Sequence, residues 1–248
     1  MSDLFSLSGK KALVTGANTG IGQAIALSLA KAGASVIAAG RSPVDETIAL
    51  ISEAGGKAES LVLDLSNPTA GRDVFAETGP VDILVNNAGI IRRANAVDFT
   101  EEDWDAVMDV NLKAVFFLSQ AFAKAVFARG GEGKIVNIAS MLSFQGGIRV
   151  PSYTASKSGV AGLTKLLANE WAAKGINVNA IAPGYIITNN TEALRHDETR
   201  NKAILERIPA GRWGDAEDIG GAAVFLASQA AKYIHGAILN VDGGWLAR

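Results

Sequence analysis

The sequence has 248 residues, with 23 Lys and Arg against 25 Asp and Glu, so its formal net charge is −2. This near-neutral balance lacks the basic patch that nucleic-acid or anionic-membrane binding requires, and we expect neither partner. The absence of cysteine excludes disulfides and thiolate chemistry, and the two histidines, His196 and His235, lack the spacing of a metal site. The first ten residues contain no apolar core of the signal-peptide type, which predicts a cytoplasmic protein.

Short runs rich in β-branched residues alternate with stretches of helical periodicity along the whole chain. The nearly continuous apolar character of the runs is typical of buried parallel strands. The predicted strands cover 11–15, 35–39, 59–64, 82–86, 134–139, 177–182 and 237–241, and the main predicted helices cover 20–32, 103–129, 153–174 and 215–227. This alternation predicts an α/β fold: a single doubly wound Rossmann-type domain with a seven-stranded parallel sheet and helices on both faces.

A glycine-rich turn follows the first predicted strand and opens the first predicted helix. It reads TGANTGIG over 15–22 and includes Asn18, Thr19 and Ile21. Gly16 permits a tight turn, and we expect Gly20 and Gly22 to let the backbone and the helix N-terminus approach a pyrophosphate. Strand, turn, helix and next strand follow in the order of a dinucleotide-binding fingerprint, so the turn predicts a dinucleotide site.

The ends of the second and third strands bear on which dinucleotide is bound. An acidic residue would be expected after the second strand if the adenosine ribose carried a free 2′-hydroxyl, but the sequence there is AAGRS. Arg41 could instead pair with a 2′-phosphate, which favours NADP; the alternative is a solvated arginine that tolerates either cofactor. Asp64, at the end of the third strand, is either an acceptor for the adenine amino group or a cap for the next element of the chain.

A serine, a tyrosine and a lysine follow the fifth predicted strand. Ser140 stands at its C-terminal end, where a doubly wound sheet opens onto its ligand crevice. Tyr153 and Lys157 are four residues apart at the start of a predicted helix, so they project from one face. A neighbouring ammonium stabilises a phenolate, as would the positive charge of an oxidised nicotinamide, so we expect the pKa of Tyr153 to fall toward the working range and Tyr153 to serve as general acid and base in hydride transfer. Ser140 would hydrogen-bond the carbonyl oxygen.

A long polar segment at 184–212 follows the sixth predicted strand. It leaves the sheet at the edge where parallel sheets bind ligands, and long insertions in compact domains are usually functional or disordered. We interpret it as a substrate lid; the alternative is a surface excursion without function.

These motifs resemble those of the short-chain dehydrogenases/reductases over essentially the whole chain. The matching pieces are TGANTGIG (15–22), NNAG (86–89), Asn111 in VNLKAVF, Ser140, YTASK (153–157) and PG in IAPGYIIT (181–188). The resemblance implies that Asn111 completes a tetrad with Ser140, Tyr153 and Lys157, holding a water that links the lysine to solvent. It also implies cofactor contacts from Asp64, Leu65, Asn87, Ala88, Gly89, Tyr153, Lys157, Pro183, Gly184, Ile186 and Thr188.

Further stretches resemble the bacterial members of that family that oxidise deoxy-keto sugar acids of the 2-deoxy-D-gluconate or 2-keto-3-deoxygluconate type. Among them are AGIIRR (88–93), PGYIITNNT (183–191) and VDGGWLAR (241–248). This closer resemblance implies NAD(H), in conflict with the NADP(H) that Arg41 favours, and a homotetramer. Gluconate 5-dehydrogenase and 3-oxoacyl-carrier reductase activities remain alternatives of the same fold, and a catalytically inactive dinucleotide sensor is an alternative of another class.

An acidic sugar requires a cation near the tyrosine and polar groups for its hydroxyls. We expect substrate contacts from Ser140, Tyr153, Gln145, Arg149, Arg92 and Asn189. Arg93, Asn190 and Thr191 are further candidates, and Trp245 is interpreted as a packed aromatic rather than a residue that closes a site.

Overall fold

One sheet of seven parallel strands organises the protein. The computed structural model describes residues 4–248, so the first three residues of the N-terminal segment lie outside the description. The strands are β1 (Lys11–Thr15), β2 (Ser35–Gly40), β3 (Lys57–Val62), β4 (Ile83–Asn86), β5 (Gly133–Ile138), β6 (Ile176–Pro183) and β7 (Ile238–Val241). Their order in the sheet is β3-β2-β1-β4-β5-β6-β7, which is doubly wound about β1 and β4 and confirms the predicted fold class.

Helices cover both faces of the sheet. Their bounds are α1 (Gly20–Lys31), α2 (Asp45–Glu53), α3 (Val74–Glu77), α4 (Glu101–Met108), α5 (Ala114–Ala128), α6 (Pro151–Trp171), α7 (Glu192–His196), α8 (Glu198–Arg207) and α9 (Ala216–Ala227). On one face, apolar side chains of α1, α2 and α9 pack against the sheet, and on the other face those of α3, α5 and α6 do so. The central strands are buried on both sides, which explains why their sequences are apolar at nearly every position.

Two short helices and the bounds of one strand differ from the prediction. Helices α2 and α3 were not among the predicted helices, and α2 buries only Thr47 and Ile51, so its periodic signal is weak. Strand β3 lies two residues earlier than predicted. It is the edge strand of the sheet and most of its side chains are exposed, so apolar character marks its position poorly.

The stretch Glu101–Ala128 forms one continuous helical run with a π turn, Asp109–Lys113, at its centre. Its length and hydropathy would also suit a membrane span. Half of its most apolar window is buried inside the fold, and Leu118 and Phe122 lie in the core against the sheet. The run is therefore accounted for as a core helix of an α/β domain.

The segment 184–212 contains α7 and α8 and builds a separate small core above the carboxyl edge of the sheet. We call this cluster the lid core, after the interpretation of 184–212 as a lid. Its buried residues are Met141, Ile204, Ile208, Trp213 and Trp245. They come from the loop after β5, from α8 and its exit, and from the C-terminal tail. Three distant parts of the chain therefore close over the edge where β4, β5 and β6 end.

Candidate active site

The glycine-rich turn between β1 and α1 is set by backbone conformation at two of its glycines and by packing at the third. Gly16 and Gly20 have φ of +63° and +56°, a region that side-chain-bearing residues rarely adopt. A Cβ on Gly22 would collide with the Gly16 carbonyl and the Asn87 amide. Gly22 therefore lets the turn pack closely against the residue that follows β4, and the approach of Gly20 and Gly22 to a pyrophosphate stays a prediction.

The turn is held to the end of β4 by a reciprocal hydrogen-bond clamp. Thr15 Oγ1 accepts from the backbone N–H groups of Asn87 and Ala88, each at 3.0 Å. Asn87 Nδ2 donates to the carbonyl oxygens of Thr15 at 2.9 Å and Gly16 at 3.1 Å. The amide donors of Asn87 are thus engaged by the turn, and its expected contact with a cofactor ribose stays a prediction for its carbonyl oxygens. The buried Thr15 is a positioning residue that sequence reasoning missed.

A cleft of about 390 Å³ opens beside this turn, at the point where the strand order reverses. The residues expected to bind cofactor that line it are Gly16, Asn18, Arg41, Asp64, Leu65, Ala88 and Gly89. Exposed Arg41 and its neighbour Ser42 both line the cleft. Asp64 Oδ1 accepts from the Ser66 N–H at 2.9 Å, and that bond lowers the pKa of the Asp64 carboxyl, so the side chain caps its own turn.

The remaining residues expected to bind cofactor surround the cleft without all lining it. Thr19, Gly20 and Ile21 stand at the start of α1, whose first turn has no side-chain cap. The Thr188 methyl lies 3.3 Å from where a Gly20 Cβ would be, so Thr188 covers that helix start. Pro183 is a buried β6 residue, and Ile186 is buried in the core facing a different cavity, so neither lines the cleft.

Ser140 is presented by the end of β5. It is buried, and its Oγ accepts from the Leu142 N–H at 3.1 Å, which starts a short 3₁₀ turn, Met141–Ser143. This bond fixes the hydroxyl in position while leaving its proton free to donate to another group.

Tyr153 and Lys157 lie in the first two turns of α6, which begins at Pro151. The Lys157 Nζ lies 5.6 Å from the centroid of the Tyr153 ring and donates to the Ile138 carbonyl oxygen at 2.6 Å. Lys157 is 5% exposed, and burial lowers its pKa to about 8. The spacing that sequence reasoning used therefore does bring the phenol and the ammonium together.

The pKa of Tyr153 differs from the expectation. Burial raises the pKa of the phenol in this chain, while a hydrogen bond with Ser140 and the positive charge of Arg93 act in the opposite direction. Desolvation of the phenolate outweighs the Ser140 hydrogen bond and the Arg93 charge, so the residues of the chain alone do not produce the expected fall. An additional positive charge at the site would be needed to bring the pKa down.

Asn111 occupies the centre of the π turn and is fully buried. Its Oδ1 accepts from the Ile90 N–H at 2.8 Å, and its Nδ2 donates to the Ile90 carbonyl oxygen at 2.9 Å. Both ends of the amide are engaged, so the side chain fixes the loop after β4. The water-holding role that the resemblance implies for Asn111 stays a prediction, since its side-chain amide is already engaged.

A second cavity of about 250 Å³ is lined by Ser140 and Tyr153. Three guanidinium groups line it, those of Arg93, Arg149 and Arg200, and no carboxylate does. Within residues 4–248 none of the three forms a salt bridge. The lid supplies Asn190, Thr191 and Leu194 to the wall, and Tyr185 and Gly184 come from the loop after β6.

Three expected substrate contacts lie elsewhere. Arg92 lines the cofactor cleft, whereas its neighbour Arg93 lines the second cavity. The Arg92 guanidinium forms an ion pair with Asp103 at 3.1 Å. Gln145 Oε1 accepts from Trp245 Nε1 at 3.1 Å, so it holds the C-terminal tail. Asn189 is exposed in the lid and does not line the cavity, although its neighbour Asn190 does.

Arg149 is held in an unusual backbone conformation at the cavity wall. Its φ of +63° is the only positive value among the non-glycine residues that the structure describes. The Arg149 carbonyl oxygen accepts from the Ala94 N–H at 3.2 Å, which ties the loop after β5 to the loop that carries Arg93. Such strain costs of the order of 1 kcal/mol and is typical of functional sites.

Tyr185 and Arg200 are the cavity residues that sequence reasoning missed. Tyr185 follows the Pro-Gly turn after β6, and Arg200 lies in the first turn of α8. The only sequence signal was their place in the polar segment that we interpreted as a lid, which did not single them out.

The two cavities lie along the carboxyl edge of a doubly wound sheet, and the adjacent residues Ile90 and Ile91 of the loop after β4 line the first and the second cavity respectively. A family model described as enoyl-(acyl carrier protein) reductase matches residues 16–246. The chain belongs to the short-chain dehydrogenase/reductase family of NAD(P)-dependent oxidoreductases, which confirms the resemblance seen in its motifs.

Named relatives match the chain over its full length. The 2-dehydro-3-deoxy-D-gluconate 5-dehydrogenase of Escherichia coli K12 is 58% identical, with 98% of both chains covered. A structure from Agrobacterium tumefaciens, described as a 2-deoxy-D-gluconate 3-dehydrogenase with bound NADP, has a TM-score of 0.97 at 73% identity, covering 99% of both chains. A gluconate 5-dehydrogenase from Burkholderia cenocepacia in complex with NADP and tartrate has a TM-score of 0.93 at 41% identity, covering 99% of this chain and 98% of that one.

Proposed function

We propose that this chain is a dehydrogenase of deoxy-keto sugar acids, interconverting a secondary alcohol and a ketone of the 2-dehydro-3-deoxy-D-gluconate or 2-deoxy-D-gluconate type. The observation that carries the proposal is the 250 Å³ cavity that joins Ser140 and Tyr153 to three arginines without a carboxylate. An arginine fork suits a carboxylate, and the polar lid side chains suit hydroxyls. The names of the full-length relatives support the same substrate class.

In the proposed reaction, Tyr153 exchanges a proton with the reacting oxygen of the sugar acid. The nicotinamide cofactor, when bound, accepts or supplies the hydride. Tyr153 removes the hydroxyl proton during oxidation and returns it during reduction, and Ser140 donates a hydrogen bond that fixes the same oxygen. Because the pKa of Tyr153 is raised in the chain alone, the base becomes competent only when a further positive charge is bound.

Lys157 lies beside the ring of Tyr153 and assists its proton transfer. Its ammonium, 5.6 Å from the ring centroid, stabilises the phenolate. A pKa of about 8 lets it give up and regain a proton near neutral pH, so it suits a relay to solvent. The relay would continue through the water that the family resemblance implies at Asn111.

For the cofactor we propose NADP(H) in preference to NAD(H). Arg41 and Ser42 stand together in the cofactor cleft, and no carboxylate follows β2 directly to hold a ribose 2′-hydroxyl. Initial rates with NADP⁺ and NAD⁺, for the native protein and for Arg41→Ala, test this. We expect Arg41→Ala to raise the KM for NADP⁺ about tenfold and to leave that for NAD⁺ within a factor of two. An equal rise in the KM for both cofactors would show that Arg41 does not distinguish NADP⁺ from NAD⁺.

The substrate proposal is tested by initial rates with 2-dehydro-3-deoxy-D-gluconate, 2-deoxy-D-gluconate and D-gluconate. We expect the highest kcat/KM with one of the two deoxy acids. A higher value with D-gluconate would establish the runner-up, a gluconate 5-dehydrogenase, which the Burkholderia relative supports. A 3-oxoacyl-carrier substrate is disfavoured because the three arginines line the same cavity as Ser140 and Tyr153. Absence of turnover with any ketone or alcohol would favour the remaining alternative, a catalytically inactive dinucleotide sensor.

We further propose a cytoplasmic homotetramer. Exposed Phe127 on α5 and Leu166 on α6 line a shallow surface cavity with Phe116 and Trp171. Two adjacent helices with apolar outer faces suit a symmetric contact with a second copy. Multi-angle light scattering of the native protein and of Leu166→Glu tests this; a monomeric native protein would rule it out.

A further inference from the structure

The substrate cavity holds more positive charge than one carboxylate requires. Arg93, Arg149 and Arg200 all line its 250 Å³, and the lining contains no Asp or Glu. A single carboxylate is satisfied by one guanidinium fork. The surplus makes the cavity a candidate for a ligand with two acidic groups.

The three guanidinium groups come from two separate walls. Arg93 and Arg149 belong to the loops after β4 and β5, which the Ala94–Arg149 backbone hydrogen bond ties together. Arg200 comes from the lid, where Asp197 accepts from its backbone N–H at 3.0 Å and starts α8. Two anion subsites can therefore be formed, one on the sheet side and one on the lid side.

The electrostatic influence of the arginines follows the same division. The charge of Arg93 acts to lower the pKa of Tyr153, the proposed proton-transfer residue. The charge of Arg200 acts to lower the pKa of Tyr185, whose ring packs on Trp245 with centroids 4.8 Å apart. Each cavity wall thus has its own tyrosine under the influence of its own arginine.

Arg93 is also partly occupied by a contact of its own. Its Nη2 donates to the Asn190 carbonyl oxygen of the lid at 2.9 Å. Arg149 and Arg200 have no such partner among the side-chain hydrogen bonds of residues 4–248. Their guanidinium groups, one from each wall, are therefore the two that can bind carboxylates.

We infer that Arg149 and Arg200 form two carboxylate subsites, so that the cavity takes linear sugar diacids with a carboxylate at each end. This inference rests on the proposed function, since it assumes that sugar acids enter this cavity. It names an additional ligand class, the aldarates, which act as substrates where the hydroxyl facing Tyr153 has the correct configuration and as competitive inhibitors otherwise.

The test compares two ligands that differ only at one end. D-Gluconate and D-glucarate share a carbon chain and hydroxyl configuration, and only D-glucarate has a second carboxylate. Calorimetric binding to the protein saturated with NADPH avoids turnover, because an alcohol and a reduced cofactor cannot react. We expect D-glucarate to bind at least tenfold more tightly than D-gluconate.

Variants of the lid helix assign the second subsite. Arg200→Gln should weaken D-glucarate binding about tenfold and change D-gluconate binding by less than threefold. Lys202→Gln is the matched control, since Lys202 is an exposed residue of the same helix outside the cavity lining. Arg200→Lys should recover part of the loss, because it keeps the charge but not the fork.

Two results would overturn the inference: equal affinity of the native protein for both ligands, or an equal loss for both in Arg200→Gln. The second would make Arg200 the receptor for the single carboxylate. Failure of the proposed function is seen separately, as no turnover of deoxy acids. Tight D-glucarate binding without that turnover would retain the diacid subsites and reject the deoxy-acid assignment.

Discussion

At the scale of single residues, the proposed chemistry depends on a phenol that the fold desolvates. Tyr153 lies against Ser140 and near Arg93, yet burial keeps its pKa raised. In the proposed mechanism, the positive charge of a bound oxidised nicotinamide would offset this raised pKa.

Tyr153→Phe should lower kcat by about 10²- to 10⁴-fold, the usual contribution of a general acid or base. The Kd for NADPH, measured by its fluorescence, should change less than threefold, because the ring and its packing remain. Tyr233→Phe is the control, since Tyr233 is 94% exposed. Retention of native kcat by Tyr153→Phe would exclude the proposed mechanism.

Lys157 predicts a specific dependence of stability on pH. Its pKa is about 8 in the folded chain, below the usual 10.5, so between these values the unfolded chain binds more protons. The free energy of unfolding should therefore rise with pH in this window, by about 2 kcal/mol between pH 7 and pH 9.5 from this group. Urea denaturation at both pH values, for the native protein and Lys157→Met, measures the difference. Identical pH dependence in the two proteins would contradict the burial of a charged lysine.

At the scale of elements, the strand–turn–helix unit of β1 and α1 is locked by close packing at one glycine. A Cβ at Gly22 meets the Gly16 carbonyl and the Asn87 amide, so the clamp between β1 and β4 leaves no space for it. The glycine-rich turn is thereby positioned by its packing against the end of β4.

Gly22→Ala should reduce the free energy of unfolding by roughly 1–3 kcal/mol through overpacking, and weaken NADPH binding by displacing the turn. Gly162→Ala, in the exposed part of α6 where a Cβ meets nothing within 4 Å, should instead stabilise the protein by up to about 1 kcal/mol. Chemical denaturation of both variants gives the comparison. Equal effects from the two substitutions would show that helix propensity, not packing at the turn, decides the result.

At the scale of the whole molecule, the C-terminal tail packs behind Tyr185, a residue of the 250 Å³ cavity wall. Trp245 is 5% exposed, donates to Gln145, packs edge-on against Tyr185 and lies under Arg207 with 4.0 Å between the guanidinium carbon and the ring centroid. The lid core thus joins residues from three distant stretches of the sequence. Lid and tail form one unit that is separate from the two main cores.

Trp245→Ala should therefore loosen the lid without unfolding the sheet. We expect faster hydrogen exchange in α7 and α8, at least a tenfold rise in the KM for the sugar acid and less than a twofold change in the Kd for NADPH. Trp104→Ala, on the outer surface of α4 with Trp104 40% exposed, is the control. Unchanged exchange in the lid helices would show that they hold their position independently of the tail.

The sequence by itself determined the sheet, the glycine turn and the Tyr153–Lys157 pair. Each of these depends on local periodicity or on a short spacing between residues. Backbone geometry relates such patterns directly to the positions of the side chains. The segment 184–212 could be located in the same way, by its polarity and length, but not its internal packing.

Only the tertiary structure decided which polar residues face the substrate cavity. Arg92 and Arg93 are adjacent yet line different cavities, Gln145 is taken up by Trp245 at the far end of the chain, and Arg149 adopts a left-handed backbone. The direction of a loop side chain depends on hydrogen bonds and packing with partners distant in sequence, for which local patterns contain no information. The same is true of the pKa of Tyr153, because desolvation is a property of the assembled site and not of the residues next to it in the chain.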